Sequence, residues 1–110
     1  MDKRIWAPVI DYEGLYEVSN YGEVRKVDGT MMNGNINSYG YRVVSLTKNG
    51  RKKDKKVHRL VALAFVPTIS GKDFVNHRDG DKLNNYVENL EWVTRGENNR
   101  HAATILQVST

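Results

Sequence analysis

The stretch that most restricts the fold is Val57-His58-Arg59-Leu60-Val61-Ala62-Leu63-Ala64-Phe65-Val66. Val57, Leu60, Val61, Ala64 and Phe65 recur at helical spacing and Pro67 stops the run, which predicts one short core helix over 57–66. Most of what precedes it is β-prone and broken by glycine, so that helix has to be covered by short strands. At 110 residues the chain suffices for a single domain with a modest core, and the pattern predicts an α+β fold.

The first forty residues read as strands and turns. Trp6–Ile10 is β-prone, and Asn20-Tyr21-Gly22 is a turn between strands at Tyr16–Val18 and Val24–Val27. Trp6, Tyr12, Tyr16 and Tyr21 are expected to pack as core rather than to stack on bases. Asp28–Gly40 is polar and predicts a loop with at most one short strand. Tyr41–Thr47 is strongly β-prone, and Asn49-Gly50 is the signal of a tight hairpin returning through Lys52–Val57.

That hairpin also holds the charge. Residues 1–40 carry four Lys/Arg and six Asp/Glu, residues 41–66 eight and one, and residues 67–110 five and six, within a net charge of +4. Lys48, Arg51, Lys52, Lys53, Lys55 and Lys56 crowd its tip and return strand, with Arg42 at its start. A cationic ribbon suits a polyanion such as DNA, although charged edge strands also guard against aggregation. The chain has no cysteine, which excludes disulfides and thiolate zinc sites. It has no apolar run of about 18 residues and no signal-peptide pattern, so no membrane role is expected.

Downstream, Asp73–His77 reads as a strand, Arg78-Asp79-Gly80-Asp81 as a turn, Lys82–Leu90 as a connection and Glu91–Val93 as a second strand. Leu90 and Trp92 are candidate core anchors. Thr94 and Glu97 stand at capping-box spacing, which puts Asn98 in the first turn of a helix and His101 about one turn further along the same face. Ala102, Ile105 and Leu106 continue an apolar stripe.

The string Val75-Asn76-His77-Arg78-Asp79-Gly80-Asp81-Lys82-Leu83-Asn84-Asn85, then Glu88-Asn89-Leu90-Glu91-Trp92-Val93-Thr94 and Glu97-Asn98-Asn99-Arg100-His101-Ala102, resembles one subfamily of HNH endonucleases. Val57–Phe65 resembles the helix that precedes the catalytic hairpin there. The run from Trp6 through Tyr12–Arg25 resembles the small N-terminal module joined to such nucleases in phages and introns. The resemblance implies an N-terminal β-rich nuclease-associated module over residues 1–50, with a DNA-binding ribbon extending to about 57. Residues 57–110 would then hold the core helix and a ββα-metal motif.

It further implies metal-dependent hydrolysis of DNA phosphodiesters, by nicking or double-strand cutting, to 5′-phosphate and 3′-hydroxyl ends. His77 would be the general base and Asn89 would hold its imidazole. Asn76 and Asn98 would ligate Mg²⁺ or Mn²⁺, with His101 as a further candidate, and the cation would stabilise the departing 3′ oxygen. Arg78, Arg95 and Arg100 are candidates for phosphate contacts beside the ribbon cations. His58 is expected to be structural, opening its helix and hydrogen-bonding the adjoining loop. The partner implied is double-stranded DNA, with a homodimer left open and a bacterial or phage-infected cytoplasm as the setting. Many HNH enzymes place Asp or His before the base where Asn76 stands. That neutral ligand predicts weak metal binding without DNA and keeps open a second function, a DNA-binding module with a silent HNH centre.

Overall fold

The computed structural model describes residues 3–98. Its first four strands, β1 (Trp6–Pro8), β2 (Tyr16–Ser19), β3 (Val24–Lys26) and β4 (Met31–Met32), form an antiparallel sheet in chain order. The expected turn after β2 is present. Tyr16, Val18 and Val24 point into the core while Glu17 pairs with Arg25 across the strands, the alternation of a sheet with one wet face. Tyr12 and Tyr16 are buried as expected and meet edge to face. Trp6 and Tyr21 are half-buried, covered by the guanidinium groups of Arg25 and Arg4.

A second antiparallel sheet holds β5 (Asn35–Ile36), β6 (Arg42–Lys48) and β7 (Arg51–Lys56). At its tip Asn49 and Gly50 both have positive φ (54° and 75°), the geometry that matches the twist of a two-residue hairpin. The segment expected to be a loop with at most one strand supplies two, β4 and β5, one to each sheet. Each is two residues long, too short to leave an alternating pattern. Gly34 between them runs so close to Val43 that an added Cβ would strike its carbonyl oxygen.

The helix α1 (Val57–Phe65) follows β7 directly, with Lys56 serving as both last strand residue and helix cap. It buries Val57, His58, Leu60, Val61 and Ala62, whereas Ala64 and Phe65 of the expected stripe are half-buried. The buried face is shifted because α1 lies against β2, β6 and β7 as well as the following hairpin. That hairpin pairs β8 (Phe74–His77) with β9 (Leu90–Val93), in the register Val75↔Trp92, Asn76↔Glu91 and His77↔Leu90. A 3-10 turn at Val87–Asn89 enters β9, an element the polar sequence of the connection did not announce.

One hydrophobic cluster joins both sheets, the helix and the last hairpin. It includes Val9, Val18, Leu46, Val61, Leu90 and Trp92, each no more than 5% exposed. Burying side chains of this size stabilises the fold by about 1.5–3 kcal/mol apiece before chain entropy is subtracted. Leu90 and Trp92 are the anchors expected, and the Trp92 indole N–H donates to the carbonyl of Val66 at 3.1 Å. Residues 95–98 form a helical turn closed by the expected capping box. The Thr94 N–H donates to Glu97 Oε1 at 3.0 Å, and the Glu97 N–H donates to Thr94 Oγ1 at 3.1 Å.

Candidate active site

His77 ends β8, and the strand's alternation turns it inward together with Val75. The residue is 5% exposed, and its ring meets three side chains from three segments. Nε2 lies 2.8 Å from Asn85 Oδ1 in the connection after the turn. The His58 ring, from the first turn of α1, is 4.8 Å away between centroids, and the Tyr41 ring, just before β6, is 6.1 Å away. Tyr41 and His58 are themselves stacked at 4.9 Å. The ammonium groups of Lys56 and Lys82 stand over Tyr41 at 5.2 and 4.9 Å, and Lys82 also donates to the carbonyl of Tyr39 at 2.9 Å.

The carboxamide oxygen of Asn85 can only accept, so in the neutral imidazole this contact favours a proton on Nε2 and a lone pair on Nδ1. Burial is the main cause that pushes the imidazole below its ordinary pKa of 6.5. The Asn85 bond and the carboxylates of Asp79 and Asp81 oppose it, and Lys82 adds to it. His77 is therefore neutral at pH 7. His58 is pushed further, to about 3, by burial first and then by His77, Lys56 and Arg59.

Asn89 does not hold the imidazole as expected; Asn85 occupies that place. Asn89 instead ties the turn: its Nδ2 donates to Asp79 Oδ1 and to the carbonyl of Asn84, both at 2.9 Å, and its Oδ1 accepts the Asp79 N–H at 3.1 Å. Asp79 accepts further bonds from the Asp81 N–H and the Asn84 amide at 2.8 Å, which hold its carboxyl below the usual range. Asn89 thus fixes the loop on which Asn85 rides. No spacing rule singles out Asn85 from the neighbouring Asn84, and Tyr41 carried no signal beyond its β-propensity.

Asn76 is 6% exposed and donates from Nδ2 to Glu91 Oε2 at 2.9 Å across the hairpin, a pairing that register explains and sequence reading missed. Asn98 is half-buried in the helical turn, its N–H bonded to the carbonyl of Thr94 at 3.0 Å. His101 and Arg100 lie outside the described residues. His58 is structural in the sense of being buried, but its contacts are ring faces at Tyr41 and His77 rather than a bond to the loop. Arg78 is exposed beside the turn, and Arg95 covers the Phe74 ring at 5.4 Å.

Register sorts the ribbon cations. Lys48, Arg51, Lys53 and Lys55 share the face of Val44 and Leu46, above an open groove with Tyr12, and Lys48 donates to the carbonyl of Asp11. Lys52 and Lys56 share the outer face with Val43, Ser45, Thr47 and Asp54. Arg42 turns back to donate to the carbonyl of Asn33 at 2.7 Å. Among the described residues no helix is long and apolar enough to cross a membrane.

Comparison with known proteins agrees with this architecture. Residues 55–100 match a family model described as HNH endonuclease, and residues 5–47 match the NUMOD4 motif. The chain is 42% identical over 91 residues to DNA endonuclease I-HmuI of Bacillus phage SP01, covering 82% of this chain and 52% of that one. It is 45% identical over 104 residues to the uncharacterized HNH endonuclease L247 of Acanthamoeba polyphaga mimivirus, covering 90% of this chain and 26% of that one. A solved structure of DNA binding and cleavage by the HNH homing endonuclease I-HmuI superposes with a TM-score of 0.79 at 36% identity, over 96% of this chain and 66% of the other. The chain thus spans from about a quarter to about half the length of these curated relatives. Behind a NUMOD4 motif, and around the histidine-bearing hairpin, the chain carries an HNH endonuclease family domain over residues 55–100.

Proposed function

We propose that this chain cuts DNA by hydrolysing a phosphodiester bond, with His77 as general base acting through Nδ1. The observation that carries the reading is the Nε2 to Asn85 Oδ1 contact, which favours the Nε2–H tautomer and leaves the Nδ1 lone pair without a hydrogen-bond donor among the described residues. Asn85 orients the ring, His58 and Tyr41 pack against it, and Asn89 anchors the loop from behind. A water beside Nδ1 would lose its proton to His77 as it attacks phosphorus.

No cluster of three His, Asp or Glu side chains that could hold a metal stands among the described residues, so a divalent cation of the kind the family uses would rest on amide oxygens. Asn76 commits its Nδ2 to Glu91, which leaves the hard oxygen Oδ1 for a metal, and Asn98 would supply a second amide oxygen. When bound there, Mg²⁺ or Mn²⁺ would supply positive charge to the scissile phosphate and the departing 3′ oxygen. Both ligands are neutral, so binding without DNA is expected to be weak. The outer ribbon face, with Lys52 and Lys56 running toward Tyr41 and the histidines, is assigned to the DNA backbone. The phage relative's solved structure, described as DNA binding and cleavage, supports DNA as substrate.

The test is conversion of supercoiled plasmid to nicked and linear forms with Mg²⁺ or Mn²⁺, against EDTA and His77→Ala. Metal-dependent cutting lost in the variant is the expected result. Asn76, a neutral amide beside the base, favours a second reading, a DNA-binding module with a silent centre. Binding without cutting under every metal would establish that reading instead.

A further inference from the structure

Asn85 sets the orientation of His77, yet it belongs to a connection with no sheet partner of its own. One side of it is tied by Asn89, through the carbonyl of Asn84. The other side is tied by the N-terminal module. The turn Asn20-Tyr21-Gly22 runs antiparallel to Asn85-Tyr86-Val87, and all three pairs touch. The carbonyl of Asn20 accepts the Val87 N–H at 2.9 Å, the Tyr21 and Tyr86 rings lie 5.3 Å apart, and Gly22 packs on Asn85 itself. A Cβ placed on Gly22 would lie 2.7 Å from Asn85 Cβ, 2.8 Å from its carbonyl oxygen and 3.0 Å from its carbonyl carbon. Glycine is demanded twice here, by that contact and by φ of +86°.

The turn is closely hydrogen-bonded in its own right. Asn20 is 6% exposed; its Oδ1 accepts the Ile5 N–H at 2.7 Å and its Nδ2 donates to the carbonyl of Lys3 at 3.0 Å. Ser19 Oγ accepts the N–H groups of Tyr21 and Glu23 at 3.1 and 3.2 Å. A firmly built turn therefore presses backbone against the residue that holds the imidazole.

We infer that the turn Asn20-Tyr21-Gly22 is a positioning element of the cleavage reaction, with Gly22 seating Asn85 so that its amide oxygen holds His77 in the reactive orientation. The NUMOD4 portion then contributes to turnover and not to DNA affinity alone. This rests on His77 being the base, as proposed above.

The experiment compares Gly22→Ala with Gly14→Ala in the full chain. Gly14 has nearly the same φ, +81°, but nothing within 4 Å of an added Cβ, so both variants carry the backbone strain and only one carries the contact. The expected result is a fall in kcat of about 10²-fold for Gly22→Ala, the scale of a misplaced catalytic group. DNA affinity measured in EDTA should stay within about twofold, since the interaction lost acts on turnover rather than on binding. Gly14→Ala should keep wild-type kcat. On an Asn85→Ala background Gly22→Ala should cost little further, because both act on the same bond.

A second readout does not depend on cutting. The ¹⁵N shifts of the His77 imidazole at pH 7.5 should show the Nε2–H tautomer in the wild type and in Gly14→Ala, and a tautomer mixture in Gly22→Ala. Should Gly22→Ala fail to fold, Tyr21→Ala removes the contact with Tyr86 without adding volume, and the same split between kcat and affinity is expected. Equal kcat in the two glycine variants, additive losses with Asn85→Ala, or a loss confined to DNA affinity overturns the inference. A wild-type chain that binds DNA without cutting overturns the nuclease reading and the catalytic role of the turn together. The imidazole spectrum would still report whether Gly22 governs the bond to Asn85.

Discussion

Replacing His58 by Phe should remove much of the acid sensitivity of the fold. His58 is 6% exposed, and its pKa falls from an ordinary 6.5 to about 3 in the folded chain. Between those values the unfolded chain binds a proton at His58 that the folded chain refuses, so stability is lost as pH falls through that window. Each unit is about 1.4 kcal/mol, and lowering the pH from 7.5 to 5.0 crosses about 1.5 units of the window, a loss of about 2 kcal/mol. The groups facing His58 are His77, Lys56, Arg59 and the Tyr41 ring. The lysine and arginine keep their charge throughout, and His77 contributes a loss of the same sign that persists in the variant. Stopping at pH 5.0 stays above the range where the low-lying carboxyls of Asp79 and Asp28 take up protons. Phe preserves a ring against Tyr41, and any packing penalty is the same at both pH values and cancels in the comparison. Urea unfolding at the two pH values should show the wild-type midpoint moving to lower urea by on the order of 1 M more than that of His58→Phe. Equal movement in the two proteins, or an NMR titration of His58 near 6, would refute the reasoning.

Other expectations follow from the same geometry. Lys52→Gln with Lys56→Gln should flatten the salt dependence of DNA binding by about two units of log–log slope while Lys53→Gln leaves it unchanged, because only the first two share the outer face. Leu46 is fully buried beneath the ribbon, and Leu46→Ala should cost about 2–5 kcal/mol in denaturant unfolding. Thr94→Ala removes the hydroxyl that accepts the Glu97 N–H and should cost about 1 kcal/mol, read as a lower thermal midpoint.

How far the sequence disclosed this molecule depends on the distance over which each feature is encoded. The helix at Val57–Phe65, the Asn49-Gly50 hairpin and the Thr94–Glu97 capping box are written within a few neighbouring residues, and each stands where local pattern puts it. The pair β4 and β5 was not readable, because two-residue strands have no period and are formed by the neighbours they pair with. His77 could be picked out, since its place in the motif is a matter of spacing. Its holder could not: Asn84, Asn85 and Asn89 are chemically alike, and only the folded turn shows that Asn89 secures Asp79 and the loop while Asn85 reaches the ring.

The environment of His77 is a tertiary property for the same reason. Tyr41 arrives from the hairpin, His58 from the helix and Asn85 from the connection, and the turn at Asn20–Gly22 supports the last of these from the far end of the chain. His58 gives the balance of forces. A buried histidine between two rings and two cations has no electrostatic reason to be charged, and as a neutral ring it can lie against a neutral His77 without repelling it. A lysine or arginine at that position would set a fixed charge against His77 and depress its proton affinity further. An aliphatic side chain would fill the space without presenting a flat face to Tyr41. The position is thus constrained by packing and by charge together, and neither constraint is visible in the helical stripe that predicts α1.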